Sequence, residues 1–251
     1  MKTLLSLFDY SGNWSRPFFE NGWNVIQWDI KLDEFMDIMA FSDAEISLEI
    51  LEDVHAIIAA PPCTDFTNSG AQYWAKKDRD GRTAISLEYV HQVIRLANLF
   101  EPTDEDYDDT FFWVLENPVG RLPKLVPILN DYDGGRPYYF HPYEFAGYLD
   151  LNPAICTQLD LIREKAGIGL SDYEVNLILQ SNVYTKKTGL WGNFNRDIIK
   201  KPIEPVRASK QGTFTQRYGG KSDRTKELRS NTPKGFARAF YEANKDFKCY
   251  Q

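Results

Sequence analysis

Residues 57–67, "IIAAPPCTDFT", carry an apolar run into two prolines and then into Cys63. A thiolate is a nucleophile that can form a covalent intermediate, and it must be accessible to act as one. Proline fixes φ and has no N–H, so Pro61 and Pro62 end the run and turn Cys63 out of the strand at a defined angle. A lone cysteine is more commonly a small buried hydrophobe, so the reading of Cys63 depends on its company. Glu116 supplies some of it: in "FFWVLENP" it directly follows apolar residues, and Pro118 stops the run. A carboxyl partly withdrawn from water keeps its proton to higher pH and can donate it near neutrality, whereas a solvent-facing or helix-capping glutamate does neither.

A third group lies near the start of the chain. Asp9, Ser11 and Gly12 follow the run "TLLSLF", and Asp29 ends the run "WNVIQWDI". A glycine turn after a first strand lets the backbone approach a ligand, and an acid ending the second strand can accept both hydroxyls of a ribose. The full glycine-rich phosphate fingerprint is absent, which favours a ligand with a single nucleoside over a pyrophosphate. An ordinary turn with an exposed aspartate fits the same residues.

These groups need elements to hold them. "TLLSLF", "WNVIQWDI", "VHAIIAA" and "TFFWVLENPVG" read as strands, the last ending in a polar turn. "WSRPFFENG" fits a helix closed by Gly22, residues 84–100 have helical apolar spacing, and the segment after "FMDIM" to Asp53 reads as helix or loop. Strands alternating with helices predict a doubly wound α/β sheet with ligands at the strands' C-terminal ends. After Gly120 the pattern changes. "RPYYFHPYEF" and "YTKKTGLWGNF" read as short aromatic-rich antiparallel strands, 150–181 as a helical insertion, and "TPKGFARAFYEANKDF" as an amphipathic helix burying Phe236, Phe240 and Tyr241.

The chain has 251 residues, of which 43% are hydrophobic and 26% charged, enough for a sizeable core. Three scattered cysteines, Cys63, Cys156 and Cys249, make neither a disulfide framework nor a four-ligand zinc site, and no metal is expected. Asp9 interrupts the apolar start before a membrane span is complete, so a cytoplasmic protein with no membrane partner is expected. The net charge is −7, yet 183–234 hold 13 Lys or Arg against 4 Asp or Glu. This local +9 suits either a phosphate-facing surface or a solvated loop-rich face. The acidic cluster at 101–109 reads as a solvated loop.

In order along the chain, "LFDYSGNW", "PPCTDFT" and "ENP" resemble the cofactor loop, nucleophile loop and E-N-V motif of the cytosine-5 DNA methyltransferase family. "ENPVGRL", "YTKKTGLWGNF", "GGKSDRTKELRS" and "TPKGFARAF" are similar to segments of its small phage and bacterial members, and the similarity touches most of the chain outside 150–181. The resemblance implies a doubly wound, Rossmann-like S-adenosylmethionine-dependent methyltransferase sheet with a small C-terminal recognition region. Its parts would be a cofactor-binding and catalytic core over 1–120, a DNA-contacting region over 121–230, and a helix over 231–251 returning to the core. It also implies a DNA substrate, S-adenosylmethionine as cofactor and S-adenosylhomocysteine as product. The setting would be DNA methylation or restriction-modification in a bacterial or phage-infected cell.

Residue by residue, the resemblance puts Cys63 on C6 of a flipped cytosine and Glu116 at its N3. Phe8, Asp9, Ser11, Gly12, Asp29, Ile30, Asp37 and Pro61 would form the cofactor site, with Asp29 on the ribose and Ile30 and Asp37 at the adenine. The basic stretch from Lys186 and Lys187 onward would hold the opened nucleic-acid backbone. The chain departs from the pattern at Asn13 and Trp14 in the cofactor loop, at Pro118 after E-N and at Thr67. "TPKGF" replaces a G-N-x-V motif. The family's Q-x-R-x-R motif has no clear copy, leaving Gln216, Arg217 and Arg224 as stand-ins. No large recognition domain is present, so target choice falls to 121–230. Two other readings stand beside this one: an RNA (tRNA) cytosine-5 methyltransferase, and a non-catalytic nucleic-acid-binding protein, against which the retained pair Cys63 and Glu116 argues.

Overall fold

The computed structural model describes residues 1–40, 54–101, 111–132, 136–165, 169–207 and 230–248. Four short apolar segments form parallel strands: β1 (Thr3–Leu7), β2 (Asn24–Trp28), β3 (Val54–Ala59) and β4 (Phe112–Pro118). β5 (Tyr138–Phe140) and β6 (Thr188–Trp191) complete one six-stranded sheet in the order β2-β1-β3-β4-β6-β5, with β6 antiparallel to both neighbours. The chain is thus α/β with a mostly parallel sheet, compatible with a Rossmann-like fold.

Alternation along the strands explains why they read as continuous apolar runs: both faces of the sheet are covered. Leu5, Leu7, Ile57, Ala59, Trp113 and Leu115 face one core, where the helix Arg82–Phe100 packs Val90, Val93, Ile94 and Ala97. Leu4, Ala56, Ile58, Phe112 and Val114 face the other, under the helices Arg16–Glu20 and Lys234–Asn244. Phe236, Phe240 and Tyr241 are buried there, as the periodicity of the last helix predicts. Each large side chain removed from water contributes about 1.5–3 kcal/mol. The helices Pro153–Glu164 and Asp172–Gln180 realise the helical spacing seen within 150–181 and share a separate core of Leu159, Ile162, Val175 and Ile178 with Val183 and Val206.

β4 runs through Glu116 to Pro118, in keeping with "TFFWVLENPVG" as a strand that Pro118 stops, and β6 pairs with it there, Glu116 opposite Leu190. Two details differ from the sequence reading. In "RPYYFHPYEF" only Tyr138–Phe140 is strand; Pro142, with no N–H to give a ladder, opens the 3₁₀ turn Pro142–Tyr148. A 3₁₀ segment Asn68–Tyr73 and a short helix Trp74–Arg79 follow the Cys63 loop, where no element was expected. Most of 38–53, most of the acidic cluster, Gln216, Arg217, Arg224 and Cys249 lie outside the described residues.

Candidate functional site

β1 lies between β2 and β3, so successive connections leave it in opposite directions and a crevice opens beyond the strands' C-terminal ends. Loops after β1, β2, β3 and β4 enclose a cleft of about 1240 Å³ there. This exceeds the roughly 300–1,000 Å³ typical of a small-molecule pocket, leaving room for part of a second reactant.

One half of the cleft is built by the loops after β1 and β2. Phe8 has φ of 59°, a left-handed conformation costly for a bulky residue. It is held by a hydrogen bond from its N–H to the Trp28 carbonyl (2.9 Å) and by edge-on packing on Tyr89. Asp9 is buried and turned into its own loop: Oδ2 accepts from the Ser6 hydroxyl (3.1 Å) and from the N–H and hydroxyl of Ser15 (3.0 and 2.9 Å), and Oδ1 from Ser11 (3.4 Å). Burial raises its pKa against the pull of the Ser15, Ser6 and Trp14 donors. Asp29 is partly exposed on the wall and ties the two loops, accepting from the N–H groups of Tyr10 (3.1 Å) and Lys31 (2.8 Å). A carboxylate has about four acceptor positions, so two protein donors leave capacity for a ligand. Ile30 is 58% exposed, and Ser11 and Asp37 also line the wall. Gly12, at φ of 63°, and the buried Pro61 stand behind it, where Ala60 and Pro62 provide the surface.

The other half is built by the loops after β3 and β4. Cys63 lines the cleft, partly exposed and outside any disulfide. Its carbonyl accepts from the N–H groups of Phe66 and Thr67 (3.0 and 3.2 Å), curling the loop. Asp65 pins this loop beneath, accepting from the Ser86 hydroxyl (2.7 Å) and pairing with Lys77 (3.1 Å). Burial alone would raise the Asp65 pKa, but Ser86 and Lys77 hold it below the usual carboxylate value. The loop after β4 is stapled on top: the Arg121 N–H donates to the Phe66 carbonyl (2.9 Å) and the Asn68 N–H to the Val119 carbonyl (3.2 Å). Only glycine fits at 120, since a Cβ there would lie 1.9 Å from the Phe66 oxygen. Fully buried Asn117 donates to the Pro61 carbonyl (3.5 Å), joining the end of β4 to the proline turn.

The Glu116 side chain is 15% exposed, with Lys186 Nζ 3.9 Å from its Oε1. Burial pushes its pKa up, while the Lys186 charge and the Thr188 hydrogen bond pull it down. Burial and the Glu116 carboxylate together push the Tyr184 hydroxyl up. Pro118, Val119 and Lys186, not Glu116 itself, form the cleft surface here. Lys187 also lines it, its ammonium 4.6 Å from the Tyr139 ring centroid. The cleft therefore gathers Phe8, Asp9, Ser11, Asp29, Ile30, Asp37, Cys63, Lys186 and Lys187, with Glu116 adjoining through Lys186.

Thr67, a departure from the family pattern, also lines the cleft, as do Lys77, Tyr89 and the segments 68–70 and 230–232, which the sequence does not single out. The lysine pair in "WAKKDR", soon after the proline turn, was the available signal for Lys77. Among the described residues no group of His, Cys, Asp or Glu is placed to hold a metal, and no helix is long and apolar enough to cross a membrane. No family model matches the chain, and no curated protein matches it.

Proposed function

We propose that this protein is a DNA cytosine-5 methyltransferase using S-adenosylmethionine. The observation that carries the reading is the convergence on one cleft of the Cys63 loop, the Asp29 wall and Lys186, which pairs with the carboxyl of Glu116 just behind the cleft surface. The residues present fit the cofactor. Asp29 retains acceptor capacity for a ribose diol, exposed Ile30 offers an apolar face for adenine, and Phe8 and Ser11 line the same cleft as Cys63. Bound there, S-adenosylmethionine supplies an electrophilic methyl group on a sulfonium.

The chain's own groups do the rest. Cytosine C5 is a weak nucleophile. The Cys63 thiolate adds to C6, forming a C–S bond and driving the C5–C6 electron pair toward C5 as Glu116 gives or shares a proton at N3. A carboxyl with a raised pKa suits that donation. C5 would then take the methyl group, with S-adenosylhomocysteine as the leaving product; C5 gives its proton to a base, the C–S bond breaks to release the thiolate, and N3 returns its proton to Glu116 as the ring is restored. The target atom is hidden in a stacked duplex, so the base must be extruded at a cost of a few kcal/mol. Lys186 and Lys187 offer cations to the strand phosphates at the thiol side.

Incubation with DNA, with RNA and with both in competition, using methyl-labelled cofactor, tests this. Label on C5 of DNA cytosine, lost in Cys63→Ala, is expected. Preference for RNA would reassign the substrate, and cofactor binding with no transfer to either would favour a binding protein.

A further inference from the structure

Arg121 follows the staple glycine and joins four segments. Its Nε donates to the Asp65 carbonyl (3.1 Å), inside the curl that starts at Cys63. Its two Nη groups form a fork on Asp78 (2.9 and 2.7 Å), and one also donates to the Thr83 hydroxyl (2.8 Å) at the start of the long helix. The guanidinium carbon lies 4.8 Å from the Trp74 ring centroid, and the side chain is 10% exposed. Its backbone N–H donates to the Phe66 carbonyl.

Such a planar, forked and stacked arrangement is specific to arginine; lysine keeps the charge but not the geometry. The fork fixes the short helix Trp74–Arg79, and that helix presents Lys77, which binds the Thr64 carbonyl and the Asp65 carboxylate. The Arg121 side chain therefore reaches the Cys63 loop in two ways, directly at Asp65 and through Lys77, beside the link its backbone makes to Phe66. The Asp78 carboxyl is held down to about 2 by Arg121 and Thr83, so the fork stays charged at every pH at which the protein would be assayed.

We propose that Arg121 is the positioning residue of the thiol loop, setting the direction in which Cys63 faces the cleft. This rests on the reading of Cys63 as the nucleophile, but its test does not require methyl transfer. The rate of Cys63 alkylation by iodoacetamide is followed by peptide mass spectrometry, with exposed Cys156 as internal reference. Arg121→Ala is expected to loosen the loop and speed Cys63 alkylation at least fivefold, with Cys156 unchanged. Arg121→Lys should not restore the wild-type rate. Where methyl transfer is measured, kcat falls about thirtyfold and both KM values stay within threefold.

A folded Arg121→Ala protein with Cys63 alkylation within twofold of wild type, or full rescue by Arg121→Lys, overturns the proposal. Should Arg121→Ala fail to fold, Asp78→Asn, which leaves the Asp65 contact intact, carries the test: a threefold faster rate supports it and an unchanged rate overturns it. Altered alkylation with no methyl transfer even in the wild type would support the positioning role while removing the methyltransferase reading.

Discussion

The two halves of the cleft are held in different ways. On the Asp29 side most supports span fewer positions: Asp9 binds Ser6, Ser11 and Ser15 and Asp29 binds Lys31 within its own loop, while Asp29 reaches Tyr10 across 19 positions and Phe8 packs on Tyr89. On the Cys63 side they are long-range: Asn117 reaches Pro61 across 56 positions, Arg121 reaches Asp65 across 56 and Asp78 across 43, and Gly120 closes on Phe66. A half built mostly within and between the loops after two neighbouring strands depends on fewer distant contacts; a half fastened across more than forty positions depends on β3 and β4 being in register first. Damage to the first should weaken ligand binding with little loss of stability, and damage to the second should lower stability and chemistry together.

The largest expected effect is on chemistry. Cys63→Ala removes the proposed nucleophile and should lower methyl transfer by about a thousandfold or more, with stability within about 1 kcal/mol because the side chain is partly exposed. Rate assays and urea unfolding of the same preparation separate the two. Next is the staple: Gly120→Ala puts a Cβ against the Phe66 carbonyl and should destabilise by about 3 kcal/mol, read from the urea midpoint. A cost below about 1 kcal/mol would mean that the two loops do not lock each other.

Glu116→Gln keeps the shape but removes the transferable proton, and should lower the rate by about a hundredfold. The same variant has a pH signature. The folded-state pKa of Glu116 lies above its ordinary 4.5, so its contribution to stability is fully present below that value and is lost as pH rises through the raised one. Unfolding of wild type against Glu116→Gln should show a difference that changes across that window and is flat outside it. Smallest is Asp29→Asn, which keeps one acceptor oxygen and should weaken cofactor binding about tenfold by calorimetry without moving the unfolding midpoint. A large stability loss there would erase the contrast between the halves.

The local half was the more legible. The turn at Asp9 to Gly12 and the acid ending the second strand were visible because the residues that shape them are neighbours; what stayed hidden was that Asp9 is consumed inside its own loop. The strands are legible because burial on both faces makes β1, β3 and β4 mostly apolar, and half-burial leaves β2 with Val25, Ile26 and Trp28. On the thiol side Cys63 and Glu116 stand out by type and setting, and Glu116 reads as a strand residue; the sequence does not show that β6, some seventy positions later, pairs with it there. Nothing in the spacing announced Arg121, Asn117 or Gly120 as the fasteners of the thiol loop, since each acts on a partner more than forty positions away.

The central claim is that Cys63 attacks C6 of cytosine. It is tested most directly with duplex DNA of random sequence carrying 5-fluorocytosine, with S-adenosylmethionine present. Fluorine at C5 cannot leave as a proton does, so the adduct cannot eliminate the thiol. The account predicts a denaturation-resistant protein–DNA complex whose cross-linked peptide contains Cys63. Methylation of ordinary cytosine by a protein that forms no such complex, or that retains activity as Cys63→Ala, would contradict it.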